Sequence, residues 1–302
     1  MGITKTVKKV VMNPKLVGRA FNRHWYRFRY GDFYSDGIDV FERDWDNLIL
    51  LDACRYDLFE QVVDLDGDLT SVQSKGTNTI QFLKGNLRGK TLNDTVYITA
   101  NPQFHKIRDE LDCEFHAVIP LWEDQWNDDA QTVLPETTAS AALSVAEEYP
   151  QKRLFIHFDQ PHIPFIGEGG SDMFDMEKVK EHPLPFWQQP MSGIWDVTEE
   201  EIWDSYAENL QIALRHVESL LRDLPGKTVV TSDHGNLISE RVSPIPIREY
   251  GHPPFVYTEE LITVPWFVTK WDRRKEITSQ ASVSRPSAEA DIEDRLAALG
   301  YK

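Results

Sequence analysis

Thr228-Val229-Val230-Thr231-Ser232-Asp233-His234-Gly235-Asn236 is a short apolar run that ends on a carboxylate and an imidazole. Read as a strand over 228–231, it puts Asp233 and His234 just past a carboxyl end, the edge at which open α/β sheets bind ligands. The two side chains offer an oxygen and a nitrogen to one divalent ion, and Gly235 lets the backbone turn without a side chain in the way. Taken alone, the stretch reads equally as a polar turn after a strand. Other segments built the same way decide between the two.

Asp46-Asn47-Leu48-Ile49-Leu50-Leu51-Asp52 is a continuous apolar run bounded by acids, which predicts a buried central strand ending at Asp52. A carboxylate there is costly unless it is paired or bound to a cation. The next segment, 55–63, reads as a helix packing back on the sheet. Arg153-Leu154-Phe155-Ile156-His157-Phe158 predicts another strand, followed by Asp159-Gln160-Pro161-His162-Ile163-Pro164-Phe165. His157, Asp159 and His162 therefore crowd one strand end, in a loop that Pro161 and Pro164 make stiff. His157, inside the strand, reads equally as a core histidine or a ligand.

Segments 95–100 and 116–119 read as strands, 136–148 as a helix, and 261–268 as an apolar return to the core. A helix is predicted over 199–222 from Tyr206, Leu210, Leu214, Val217 and Leu221 at helical spacing. Segment 167–198 reads as an ordered excursion over the active face, and the stretch after Asn236 as a proline- and charge-rich loop reaching Tyr250-Gly251-His252-Pro253. Strands alternating with helices imply an α/β fold, three-layer α/β/α with a mostly parallel central sheet, whose strand ends share one edge. Asp52, His157 with Asp159, and Asp233 with His234 fall at three such ends. Core packing does not explain that coincidence.

Ser74-Lys75-Gly76-Thr77-Asn78-Thr79-Ile80-Gln81-Phe82-Leu83 is a polar turn entering an apolar helix. Thr77 or Thr79 can cap that helix, or stand as a nucleophile toward a phosphate that the exposed amides attract. Ser74 is a third candidate. Arg55 and Lys75 are of the right type to bind phosphate, although isolated basic residues are more often surface groups. His24, His105, His116, His182 and His216 have no motif around them and read as structural or solvent-facing.

The net charge of −17 argues against a partner that needs a broad basic face, so no nucleic acid is expected. Surplus carboxylate also fits a salt-loving, haloarchaeal kind of host. The two cysteines, Cys54 and Cys113, are too few for a disulfide framework, and no apolar run spans a bilayer, so a cytoplasmic protein is expected. Segment 1–31 runs against the overall charge, carrying Lys5, Lys8, Lys9, Lys15, Arg19, Arg23, Arg27 and Arg29 and no acid. Interleaved apolar residues give it the pattern of a basic amphipathic helix. It can lie on an anionic membrane, as a peripheral contact on the inner face, or dock on the acidic body of the same chain. The expected organisation is this segment, a catalytic domain over 32–271, and a polar tail over 272–302 with a short helix near 288–299 that forms a peripheral lid or partner site.

With these segments in this order, the chain resembles the sulfatase-like branch of the alkaline phosphatase superfamily. The resemblance rests on Leu50-Leu51-Asp52, the 74–83 turn, His157 to Phe165, Thr231 to Asn236, Gly251-His252-Pro253 and Val264-Pro265. The 77–82 turn is similar to the threonine-centred nucleophile turn of lipoteichoic acid synthase-like enzymes. The resemblance implies that Asp52, Asp233 and His234 hold a divalent metal (Zn, Mn, Mg or Ca), with Thr77 as fourth ligand and nucleophile and Thr79 and Ser74 as rivals. His157 and Asp159 are the further metal candidates, and a second ion stays open. Asp159 and His162 have two residues between them, unlike the two-metal members, so His162 is expected to bind substrate oxygens. His252 would do the same or protonate the leaving group. No cysteine or serine stands in the pattern needed for formylglycine, which disfavours sulfate esters. The implied activity is metal-dependent hydrolysis or transfer of a phosphate ester, on a small-molecule or a lipid- or glycan-linked substrate, through a covalent threonine intermediate. The alternative is a catalytically degenerate relative acting as a binding or assembly module.

Overall fold

The computed structural model describes residues 14–173, 186–190, 197–281 and 292–301. Asn47–Asp52 (β1) is buried at every position. Its consecutive leucine and isoleucine side chains point to both faces of a sheet, so both faces must be covered. The strands that follow are Gly67–Gln73 (β2), Thr91–Thr99 (β3), Glu114–Pro120 (β4), Arg153–Pro161 (β5), Thr228–Ser232 (β6), Leu237–Val242 (β7), Ile247–Gly251 (β8) and Thr263–Thr269 (β9). Seven of them form one sheet in the order β2-β9-β6-β1-β5-β3-β4. From β6 to β4 the neighbours are parallel, and β9 runs antiparallel to both β6 and β2.

The alternation along β1 assigns the two outer layers. Ile49 and Leu51, with Ile156 and Val230, pack against the helices Tyr56–Val62, Pro135–Glu148 and Glu199–Asp223. Leu48 and Leu50, with Phe155 and Val229, meet the helices Thr79–Leu87 and Gln103–Leu111. The expected mostly parallel, three-layer α/β/α architecture is the one the chain adopts. Glu199–Asp223 begins with a capping box, Thr198 accepting from the Glu201 amide while the Glu201 carboxylate accepts from the Thr198 amide. It buries Ile202, Tyr206, Leu210, Leu214 and Val217 along one stripe.

One expectation is corrected by the fold. The stretch after Asn236 is no loop: β7 and β8 form an antiparallel hairpin, and its prolines, Pro244 and Pro246, lie between the strands, where no ladder bond is needed. In the tail, the helix Ile292–Ala298 and the residues after it bury Leu296 and Leu299. Of the 167–198 excursion, a helix at Glu168–Met173 and a turn at Phe186–Gln188 are described, while 174–185, including His182, and 191–196 lie outside the described residues.

The basic amino-terminal segment forms a helix over Pro14–Tyr30 that is docked on the hairpin. Arg19 pairs with Glu249 at 2.6 Å, both nearly buried. The Asn22 amide donates to the Val242 and Ile245 carbonyls (3.2 and 2.8 Å), and Tyr26 joins Leu237, Val242 and Leu261 in a small core. Gly18 abuts Ile247 so closely that a Cβ would collide with it. The opposite side of the helix exposes Val17, Phe21 and Phe28. Lys5, Lys8 and Lys9 lie outside the described residues. Among the described residues, no helix is long and apolar enough to cross a membrane.

Candidate metal centre

β6 and β5 flank β1 on its two sides, so the polar residues at or near their carboxyl ends converge on Asp52. One donor atom each from Asp52, His157 and Asp233 lie within 4.8 Å of one another. His157 Nε2 is 3.7 Å from Asp52 Oδ2. His234 Nε2 stands 3.3 Å from Asp233 Oδ2 and 3.7 Å from Asp52 Oδ1. All four side chains are fully buried.

Contacts from outside fix their directions. The Asn101 amide donates to Asp52 Oδ2 at 2.7 Å. Asp233 Oδ1 accepts from the backbone N–H groups of Ala53 and His234, at 3.0 and 2.9 Å. His234 Nδ1 lies 2.7 Å from the Gly235 carbonyl. A carbonyl can only accept, so the ring proton sits on Nδ1 and Nε2 turns its lone pair inward. His157 Nδ1 lies 2.9 Å from the Tyr97 hydroxyl, and donation from Nδ1 to that oxygen gives His157 the same ligand-competent form.

The donor set fits a divalent cation. His157 Nε2, Asp159 Oδ1 and Asp233 Oδ2 are buried with no hydrogen-bond partner, and among the described residues no lysine or arginine pairs with Asp52, Asp159 or Asp233. Uncompensated carboxylates in such a place are expensive. Burial, and then Asp233, push the Asp52 carboxyl well above its usual range. Burial, and then Asp52, push Asp159 up to about 7. Burial lowers the His157 imidazole. An ion bound tetrahedrally by oxygen and nitrogen at about 2.0–2.1 Å keeps its donors about 3.3–3.4 Å apart; His234 Nε2 and Asp233 Oδ2 already stand 3.3 Å apart, while the 3.7 Å contacts of Asp52 with His157 and His234 would have to close by a few tenths of an ångström. Asp159 stands at the margin, its Oδ2 accepting from the Thr132 hydroxyl at 2.9 Å. No second group of three such donors occurs among the described residues.

The hydroxyl brought to this cluster is that of Thr79. Asn78 caps the helix, its side chain accepting from the Gln81 amide, so Thr79 is the first helical residue and points along the opening amides. Its Oγ lies 3.4 Å from Asp52 Oδ2 and 3.4 Å from His234 Nε2. Thr77 is turned elsewhere, with its Oγ 2.8 Å from Gln81 Oε1 and 2.9 Å from the Pro253 carbonyl. The Ser74 hydroxyl donates to the Asp233 carbonyl and orders the turn. Arg55 and Lys75 are likewise structural: Arg55 is buried between Asp57 and Glu240, and Lys75 pairs with Asp39.

His162 and His252 meet through their Nε2 atoms at 2.9 Å beside the cluster, and the His252 ring is 4.6 Å from that of His234. His162 Nδ1 is held by the Ile163 carbonyl at 2.8 Å, which leaves its Nε2 as acceptor and makes His252 the donor. Burial lowers His162 to about 4 and His252 well below its usual value, so both rings are neutral. Elsewhere, His24 contacts the Ala20 carbonyl, His105 the Trp122 ring and His116 the Gln280 carbonyl.

Sequence reasoning missed Tyr301, Asn101 and Tyr97. Tyr301 reaches in from the tail, its hydroxyl 3.2 Å from Asp52 Oδ2 and 3.4 Å from Thr79 Oγ, and its ring stacks on His162 at 5.0 Å. Nothing near it in sequence points there. Asn101 follows the predicted strand 95–100 directly, and the strand-end rule applied to it would have found it.

No protein-family model matches the chain. No curated protein matches it in sequence. The chain is similar to several solved structures. The C-terminal periplasmic domain of phosphoethanolamine transferase EptC from Campylobacter jejuni is 12% identical, over 74% of this chain and 77% of that one, with a TM-score of 0.48. The corresponding EptC domain from Escherichia coli, in complex with zinc, is 15% identical over 78% of this chain and 75% of that one (TM-score 0.49). Lipoteichoic acid synthase LtaP from Listeria monocytogenes is 12% identical over 76% of this chain and 66% of that one (TM-score 0.43). Sulfatases match as well. At such distance, the chemistry rests on the site itself.

Proposed function

We propose that this chain is a sulfatase-like, metal-dependent hydrolase or transferase of phosphate esters, and that Thr79 is its nucleophile. The observation that carries the reading is the position of Thr79 Oγ, 3.4 Å from both Asp52 Oδ2 and His234 Nε2, at a helix start and in the cluster that holds the unpartnered His157 Nε2 and Asp233 Oδ2. Asp52, Asp233, His234 and His157 would hold the ion. A bound divalent cation lowers the pKa of a nearby hydroxyl and neutralises charge on the attacked ester.

The rest falls to the chain's own residues. The opening amides of Thr79–Leu87 favour a phosphoryl group at their end. The bond from Thr79 Oγ to phosphorus forms as the ester oxygen leaves, and attack by water or by an acceptor hydroxyl then frees Thr79. The proton lost by Thr79 goes to the leaving ester oxygen, and the attacking water or acceptor hydroxyl supplies the proton that restores Thr79, so none is consumed over the turnover. His252, neutral and carrying its proton on Nε2, is placed to hydrogen-bond a substrate oxygen once that oxygen displaces His162 as the acceptor. Tyr301, packed over Asp52 and Thr79, excludes water from the cluster.

Thr79→Ala is expected to remove cleavage of a phosphodiester or monoester, with a loss of about 10³-fold or more, and Thr79→Ser to keep part of it. Thr77→Ala should retain most activity, because that hydroxyl only braces the turn. Intact-mass detection of a phosphoryl adduct on wild type but not on Thr79→Ala is the direct check, and full activity in Thr79→Ala would sink the assignment. A purified chain without a stoichiometric divalent ion would instead favour a binding module on the same fold.

A further inference from the structure

A cavity of about 490 Å³ opens beside His252 and Tyr301, and its walls carry Arg19, Arg23 and Lys106. No aspartate or glutamate lines it, in a chain whose net charge is −17. Three cations on a wall without a carboxylate are therefore a concentration of charge against the trend of the whole molecule. Arg19 is accounted for by its ion pair with Glu249, and Lys106 lies 3.9 Å from Glu293. Arg23 is not accounted for.

Arg23 has no hydrogen-bond or ion-pair partner among the described residues, and its Nε is buried and unsatisfied. Burial and the neighbouring Arg19 both disfavour its charge, and Glu249 offsets them only in part. An unpaired guanidinium held half-buried next to a second one costs stability unless an anion joins it. Trp187, Tyr250 and Phe255 add apolar wall to the same cavity. The geometry points to an anion subsite: we propose that this cavity holds a second anionic group, phosphate or carboxylate, of a phosphoester whose scissile group lies at Thr79. The inference rests on the proposed phosphoester chemistry and names its substrate class, a compound with two anionic groups joined by a partly apolar linker. The amino-terminal helix is then part of the substrate site and not only a brace for the hairpin.

Non-hydrolysable probes separate binding from turnover. An alkane-α,ω-diphosphonate series, its ω-carboxylate counterparts and alkyl monophosphonates of the same lengths would be titrated calorimetrically into the full-length, metal-loaded chain. At the length that spans the cavity, the second anion is expected to tighten binding by roughly tenfold or more. Arg23→Gln should erase that gain and leave monophosphonate binding unchanged, while Arg23→Lys restores part of it. The diphosphonate and carboxylate arms tell which anion the subsite prefers. Equal affinity for one-anion and two-anion probes at every length, or a gain that survives in Arg23→Gln with an unaltered melting temperature, overturns the subsite. Monophosphonate binding that is indifferent to Asp233→Ala would instead count against the phosphoester reading, whatever Arg23 does.

Discussion

Asp52 and Tyr301 share a hydrogen bond of 3.2 Å, yet they come from regions of opposite kind. Asp52 ends the most buried strand of the sheet, and its neighbours in the cluster are fixed by parallel pairing of β6, β1 and β5. Tyr301 stands near the end of the chain, on a short segment anchored by Leu296 and Leu299. The amino-terminal helix is like it, a terminal element that reaches a wall of the same site. The sheet edge supplies charged donors in a rigid array. The two chain ends supply what closes around them. This division is economical, since ligand geometry tolerates little error whereas a cover needs only to exclude water and select what enters.

The largest test of the comparison removes the ion. Chelation is expected to abolish activity, and in the metal-free protein the stability gained by Asp159→Asn over wild type should grow as pH rises from about 4 toward 7, a difference in which the opposite slope of the lowered histidines His157, His162 and His252 cancels. In that interval folded wild type keeps a proton on Asp159, held up to about 7, that the unfolded chain has already released near its ordinary value. At this group the folded state binds more protons than the unfolded one, so its contribution to stability falls with pH. Adding a divalent cation should reverse the slope. Thermal melts across that range check it, and a slope unchanged by cation would mean that the edge is not a metal site.

A smaller effect belongs to a residue that only orients a donor. Tyr97→Phe removes the oxygen beside His157 Nδ1, and metal affinity is expected to fall by about 10–100-fold, read by competition with a chromogenic chelator. The smallest belongs to the cover. Tyr301→Phe keeps the ring on His162 and removes only the hydroxyl, so metal affinity should change by less than about tenfold. If Tyr301→Phe weakened metal binding more than Tyr97→Phe does, the tail would be part of the metal centre and the contrast between edge and ends would collapse.

How far the sequence reached differs between these regions. The strands carrying Asp52, His157 and Asp233 were legible because buried parallel strands are continuous apolar runs, and a charged residue closing one stands out. The hairpin of β7 and β8 was not: its turn prolines dominate the local composition and its pairing partner is itself. The turn that brings a hydroxyl to Asp52 was legible to within two residues. Which threonine faces the donors depends on Asn78 taking the cap, and Thr77, Asn78 and Thr79 are all residues that can end or begin a helix.

The chain's own sequence determined the sheet and the edge at which Asp52, His157, Asp233 and His234 gather, because hydrophobic periodicity and strand-end polarity are local properties. Only the tertiary structure decided that Thr79 and not Thr77 meets Asp52, that Arg23 is left unpaired in a cavity wall, and that Tyr301 lies over the cluster. Each of those depends on contacts between residues far apart in the chain, which no local pattern encodes.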